Sequence, residues 1–369
     1  MRRPLGPVLR RSLLPLLLLA ACPAALPAPA TAAPPAPAPA ESPALAFAPR
    51  YHTVQHGGLV RAANSAVSCR TSGPTAKRCP AVRGGRAGGV NGDFDMFYTD
   101  VDRDPNTYNS SRGEVRLPAG SRVSYARLYW GGNLLAGEQK PPKDNGRVLF
   151  AEPGGAYREV RADSRTGHRV AGGMDAFQAS ADVTRLVRAA GPGQYTVAQV
   201  NVASGRSRAG TWGGWTLVVA YANPREPRRE LGLWDGFVAF DAAHPSHTVP
   251  LTGVAVPKGA RGTAGFVAYN GDRGTRGDSL TLSTGRGPGV SLSGPADPAD
   301  DILNSTVSGP GGARTARTPA YDNTLGYDSD VLDASAALAP GGDRLGARFT
   351  SRRDAAWLGA FFLAADAGR

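Results

Sequence analysis

The chain has 369 residues, with 48 glycines, 31 prolines, 20% charged residues and a net charge of +12. That length exceeds one ordinary domain, and the composition suits short strands joined by many turns rather than a helical bundle. Lysine occurs only as Lys77, Lys140, Lys143 and Lys258. The arginines that supply the remaining positive charge are scattered through turns, which argues against nucleic acid and leaves weak attraction to an anionic envelope.

Residues 1–32 read as a secretion signal. Arg2, Arg3, Arg10 and Arg11 form its basic region, residues 12–21 are apolar but too short to span a bilayer, and Ala30-Thr31-Ala32 is an A-x-A cleavage pattern. Leu19-Ala20-Ala21-Cys22 resembles a bacterial lipobox, which makes Cys22 a candidate lipidation site; the plainer reading is a cysteine inside a discarded signal. The expected location is therefore extracellular, or lipid-anchored to the outer face of the membrane. Residues 33–50 form a Pro/Ala-rich linker. Cys69 and Cys79 are an even pair in an exported chain and are expected to form one disulfide, stabilising it by about 2–3 kcal/mol.

Strands are expected over residues 94–98, 114–117, 123–130, 147–150, 158–161 and 195–202, with a turn at Gly131-Gly132. Residues 181–190 carry the clearest helical pattern, with Asp182 as a cap. Residues 216–221 and 231–240 are apolar and β-branched runs separated by Asn223, Pro224 and Pro227, and they predict a long central hairpin. The second half echoes the first. Leu128-Tyr129-Trp130-Gly131-Gly132-Asn133 parallels Val267-Ala268-Tyr269-Asn270-Gly271-Asp272; segments around Asp182 and Asp330 each precede a tryptophan-containing strand, at Trp215 and Trp357. This predicts an all-β chain of two tandem β-sandwich or jelly-roll domains related by internal duplication, at 51–241 and 242–369.

Several blocks occur here in one order: NGDFDMFYTDVDRDPNTYNSS, RLYWGGN, ADVTRLV, GGWTLVVAYANPREPRRELGLWDGF, GDRGTRGDSLTL and NSTVSGPGGARTARTPAYDNTLGYDSDVLD. Over about residues 50–366 the chain resembles an uncharacterised β-rich module of secreted proteins from high-GC Gram-positive bacteria. In many relatives that module opens a long cell-surface chain with DUF11-like immunoglobulin-type repeats. The resemblance implies an extracellular surface module and transfers no activity.

Candidate chemistry is sparse. Gly277-Asp278-Ser279-Leu280 spells an esterase motif and Asp241 precedes His244 at a matching spacing, but the order is reversed and Ser279 opens a strand rather than a helix. Asp100, Asp102 and Asp104 are spaced as calcium ligands, although Pro105 and Ser111 exclude an EF-hand. Asp297, Asp300 and Asp301, and separately Asp328, Asp330 and Asp333, invite the same question. Trp130 and Trp212 are the candidates for stacking on sugar rings. Arg276-Gly277-Asp278 and the sequons at Asn109 and Asn304 are expected by chance in such a composition. The expectation is a non-catalytic, exported binding or adhesion protein, with calcium as the one candidate cofactor. Its partner would be a cell-envelope glycan or surface protein. A carbohydrate-binding module and a cryptic serine hydrolase are the alternatives.

Overall fold

Alternating and doubly apolar runs set the strands, and the computed structural model describes residues 40–241 and 243–368. Eight strands of the first half recur in the same order in the second. The first set is β1 (Leu45–Ser65), β2 (Ser110–Val115), β3 (Arg122–Asn133), β4 (Arg147–Ala151), β5 (Arg158–Arg161), β6 (Met174–Asp182), β7 (Gly193–Ala198) and β8 (Gly213–Ala222). The second is β9 (Arg228–Ala239), β10 (Ser246–Pro250), β11 (Gly262–Tyr269), β12 (Ser279–Ser283), β13 (Val290–Leu292), β14 (Tyr327–Asp333), β15 (Gly346–Thr350) and β16 (Trp357–Asp366).

In the first half the sheets run β1-β8-β3-β6 and β2-β7-β4-β5; in the second they run β9-β16-β11-β14 and β10-β15-β12-β13. Each set is a jelly roll with identical topology. A short helix follows the sixth strand of each, at Thr184–Ala190 and Ser335–Leu338. Asp182 and Asp333 accept the amide two residues on, at 2.8 and 2.9 Å. The structural counterpart of Asp182 is thus Asp333, not Asp330, and the first helix begins later than expected because strand pairing holds the chain through Asp182.

Pairing of β1 with both β8 and β9 joins the two inner sheets into one ten-stranded sheet, and a smaller outer sheet covers each half. Trp130, Phe150, Tyr195, Trp215 and Leu217 fill the core of the first roll; Phe266, Leu280, Phe349 and Phe361 fill that of the second. A third core, with Val218, Leu233, Tyr269, Trp357 and Phe362, packs the two inner sheets face to face.

Strand β1 stitches these sheets together. Its residues 57–65 pair with β8, and earlier residues pair with β9. Gly57 marks the change, with φ of +146° and a backbone so close that a Cβ would lie 1.9 Å from the Tyr221 carbonyl oxygen. The expected hairpin of β8 and β9 does not form, because β1 lies between them and each belongs to a different roll.

Three further expectations change. The second roll starts at β9, before residue 242, and Arg317–Thr318 crosses back to extend the first roll at β2, so Ala38–Arg369 is one compact unit. The linker ends before residue 50, since Glu41–Ser42 pairs with Thr166–Ala171 and β1 begins at Leu45. Gly131 and Gly132 continue β3 instead of turning, because both pair with β6 on one side and β8 on the other; a Cβ on Gly131 would meet the Phe177 carbonyl oxygen at 2.4 Å, so the close approach requires glycine.

A polar knot crosses the third core. Asp235 on β9 accepts two bonds from Arg50, at 2.8 and 2.9 Å, and one from the Tyr129 hydroxyl at 2.9 Å. Buried Arg127 lies 3.5 Å from the same carboxylate. Asp235→Ala should therefore lower unfolding stability by about 3 kcal/mol, measured by urea denaturation, because three donors lose one buried acceptor. A loss below about 1 kcal/mol would contradict this role.

Candidate functional site

The structure redistributes the residues singled out in the sequence. Trp130 and Trp212 are both fully buried, so neither offers a face to a sugar. Trp130 donates to the Asn145 carbonyl at 2.8 Å, and Trp212 packs against Tyr269 with ring centroids 5.4 Å apart. Strand β3 directs Trp130 inward and the segment just before β8 directs Trp212 inward, a burial that flanking glycines do not reveal.

The Asp100, Asp102 and Asp104 carboxylates brace their own loop. Asp100 accepts from Ser110 at 2.7 Å, Asp102 from the Asp104 amide at 2.9 Å and from Tyr157, and Asp104 from the Asn106 amide at 2.9 Å. Among the described residues, no three acidic, imidazole or thiol groups stand ready-made around one metal position. Cys69 and Cys79 form the expected disulfide. Cys22 lies outside the described residues.

Asp241 and His244 do meet, at 3.2 Å. Ser279, however, lies opposite Thr350 on β15, which lies opposite Ser246 on β10. Two strand spacings, about 9–10 Å, therefore separate Ser279 from the strand that follows His244, and the hydrolase arrangement is not assembled. Asp278 and both sequon asparagines are buried, so neither the RGD tripeptide nor the sequons are displayed.

What the fold does assemble is a surface of arginines and aromatic rings. A cleft of 260 Å³ is lined by Arg273, Arg314, Arg317 and Asp322, together with the backbone of Gly84 and Gly85. Arg273 donates to the Asp322 carbonyl at 2.7 Å and Arg314 to its carboxylate at 2.8 Å. Burial, with repulsion from Arg61 behind it, pushes the Arg317 guanidinium down to about 10.

Beyond the ridge at residues 319–321 lies a wider groove of 400 Å³, lined by Arg70, Arg83, Phe97, Tyr98 and Tyr321. Arg70 stacks over Phe97 at 3.9 Å and Arg83 over Tyr321 at 4.7 Å. Phe97 is 40% exposed, unusual among the large apolar side chains of this chain. The disulfide arm supplies one wall of this surface, and the segment from Thr306 to Asp322 supplies the other.

The cleft floor rests on buried acids. Asp297, Asp328 and Asp330 are fully buried. Ser308 donates its hydroxyl to Asp297 and its amide to Asp330, each at 2.7 Å. The Thr306 hydroxyl lies 2.8 Å from Asp297 and 2.9 Å from both Asp330 and the Asn304 side-chain oxygen. One hydroxyl hydrogen cannot serve all three acceptors fully, so the Thr306 hydroxyl leaves these buried carboxyls short of donors. Burial, then repulsion from neighbouring carboxylates, accordingly holds Asp328 and Asp330 well above the usual carboxylate range. Arg61 donates to the Ser308 carbonyl and is the nearby counter-charge. The sequence groups Asp297 with Asp300 and Asp301; folding pairs it instead with Asp328 and Asp330.

No protein-family model matches the chain, and no curated protein matches it. Among solved structures, quercetin 2,3-dioxygenase from Acinetobacter baumannii aligns over 85% of this chain and 87% of its own, at 8% identity and a TM-score of 0.20. A likeness that weak carries no argument about activity.

The arginines thus divide by burial. Arg61→Ala should cost about 3 kcal/mol in urea unfolding, through a cavity and a lost counter-charge. Arg314→Ala, 81% exposed, should stay within about 0.5 kcal/mol of the parent. Equal costs for the two would contradict the division.

Proposed function

We propose that the chain is an exported, non-catalytic binding protein whose arginine-aromatic surface takes an anionic segment of a cell-envelope glycan. The observation that carries this reading is the convergence of Arg70, Arg83, Arg273, Arg314 and Arg317 beside Phe97, Tyr98 and Tyr321. Guanidinium groups recognise carboxylate and phosphate through paired donors, and flat rings accept the apolar faces of sugars. The disulfide and the leader-like residues 1–32 support export. Cys22 would tether the protein if lipidated; otherwise it is released.

Affinity electrophoresis through gels containing teichoic acid, polygalacturonate or neutral dextran tests the proposal. Retention is expected on the two polyanions and not on dextran, weakening as salt rises. Phe97→Ala and Arg314→Ala should each weaken retention roughly tenfold or less, in the range of a lost cation–π or charged contact. Equal retention on dextran, or unchanged polyanion binding in both variants, would overturn it.

A further inference from the structure

The N-terminal strand of the fold, Glu41–Ser42, is held by a small contact. It makes two parallel pairings, Glu41 with Thr166 and Ser42 with Gly167, and the Thr166 amide donates to the Ala40 carbonyl at 3.1 Å. The edge strand beside it, Thr166–Ala171, is secured more firmly. Five of its residues pair with β6, and Phe237 packs so closely on Gly167 that a Cβ there would lie 2.3 Å from the ring. Rupture of the contact would free Glu41–Ser42 and leave Thr166–Ala171 in place.

Side chains add one further link. His168, on the edge strand, is 14% exposed and has a carboxylate at each ring nitrogen: Glu41 lies 2.6 Å from Nδ1 and Asp175 lies 2.5 Å from Nε2. Both acids are positioned from the loop before β4. The Gln139 side-chain amide donates to the second Asp175 oxygen at 2.8 Å, and that of Asn145 to the second Glu41 oxygen at 3.3 Å. Glu41 from the N-terminal strand and Asp175 from β6 are thus the charged groups that face the imidazole. Arg169, next on the edge strand, points to the opposite face, and nearby Lys140 and Arg147 pair with Glu138 and Asp144. Among the described residues, no arginine or lysine forms an ion pair with Glu41 or Asp175, so His168 is their cationic partner.

A neutral imidazole has one N–H and one lone pair. It can donate to one carboxylate, and its lone pair then meets the other at 2.5 or 2.6 Å. An imidazolium donates to both. We propose that Glu41, His168 and Asp175 form a pH-sensitive latch, which fastens the N-terminal strand when His168 is charged and releases it when His168 is neutral. Release would move the point at which the preceding chain joins the fold from Glu41 to Leu45, where β1 begins, and would uncover the backbone of an edge strand. The carboxylates lie at opposite nitrogens, an arrangement that serves protons rather than a shared metal ion.

Burial opposes the charge on His168, but the bonds to Asp175 and Glu41 outweigh it and hold the imidazole above its ordinary range. A histidine raised in the native state stabilises its contact fully below the unfolded value, and that contribution is lost as pH rises through the native one. The latch is therefore closed in mild acid and opens on the alkaline side of the usual histidine range.

The test is cleavage of the full chain after Glu41 by a glutamate-specific protease, read by intact mass at about pH 6 and about pH 8.5. Rates are divided by those for a free peptide of residues 38–46, which removes the protease's own pH dependence. The parent's relative rate is expected to rise about tenfold between the two conditions, the equivalent of one charge-assisted hydrogen bond. His168→Gln should be cut rapidly at both, with no rise. Asp175→Asn should be cut slowly at both, because its amide can donate to neutral His168, whose remaining N–H still bonds Glu41. His52→Gln, at a histidine that meets the single carboxylate of Glu230, should match the parent. Should His168→Gln fail to fold, Asp175→Asn decides. A pH-independent rate in the parent, or an equal rise in His168→Gln or Asp175→Asn, would overturn the latch.

Discussion

The protein depends on one packing event: two jelly-roll sheets, each apolar on both faces, must cover each other. Val218 of β8, Leu233 and Phe237 of β9, Val267 and Tyr269 of β11, and Trp357 and Phe362 of β16 point into this contact, and a buried carboxylate, Asp235, accepts hydrogen bonds across it. Apolar area supplies the driving force, whereas Asp235 sets orientation, because Arg50, Tyr129 and Arg127 can reach it in one arrangement of the sheets. Strand β1 then makes the two rolls inseparable by hydrogen-bonding to both.

The arginine cleft follows from that fusion. Arg61 comes from β1, Arg317 lies on the strand that crosses back to β2, and Asp330 belongs to β14 of the second roll. Their charges are balanced only when both rolls are in place.

The repeat was legible in the sequence because its carriers are local. Strand patterns ending in an aromatic and glycine, and an aspartate before a short helix, survive in both halves as β3 with β11 and β6 with β14. Register was less legible: Asp330 and Asp333 share a strand, and pattern alone does not say which ends it. The central hairpin failed for a related reason. Proline and asparagine at residues 223–227 correctly marked a reversal, but a reversal does not specify the neighbour, and β1, more than a hundred residues earlier, takes that place.

Site residues were the least legible. Tryptophans beside glycine look exposed in a sequence, whereas here glycine thins the sheet so that bulky rings can fill the cores behind it. Arginines that look scattered converge because the loops carrying them meet at one end of the fused rolls. Only the disulfide, a contact between residues ten apart, needed no tertiary knowledge.

The two rolls behave as one cooperative structure, a property that differential scanning calorimetry of the full chain measures. A single transition is expected, with calorimetric and van't Hoff enthalpies that agree. Two resolved transitions, or a calorimetric enthalpy about twice the van't Hoff value, would contradict it, since the rolls would then fold independently and the shared sheet contact would not hold the molecule together.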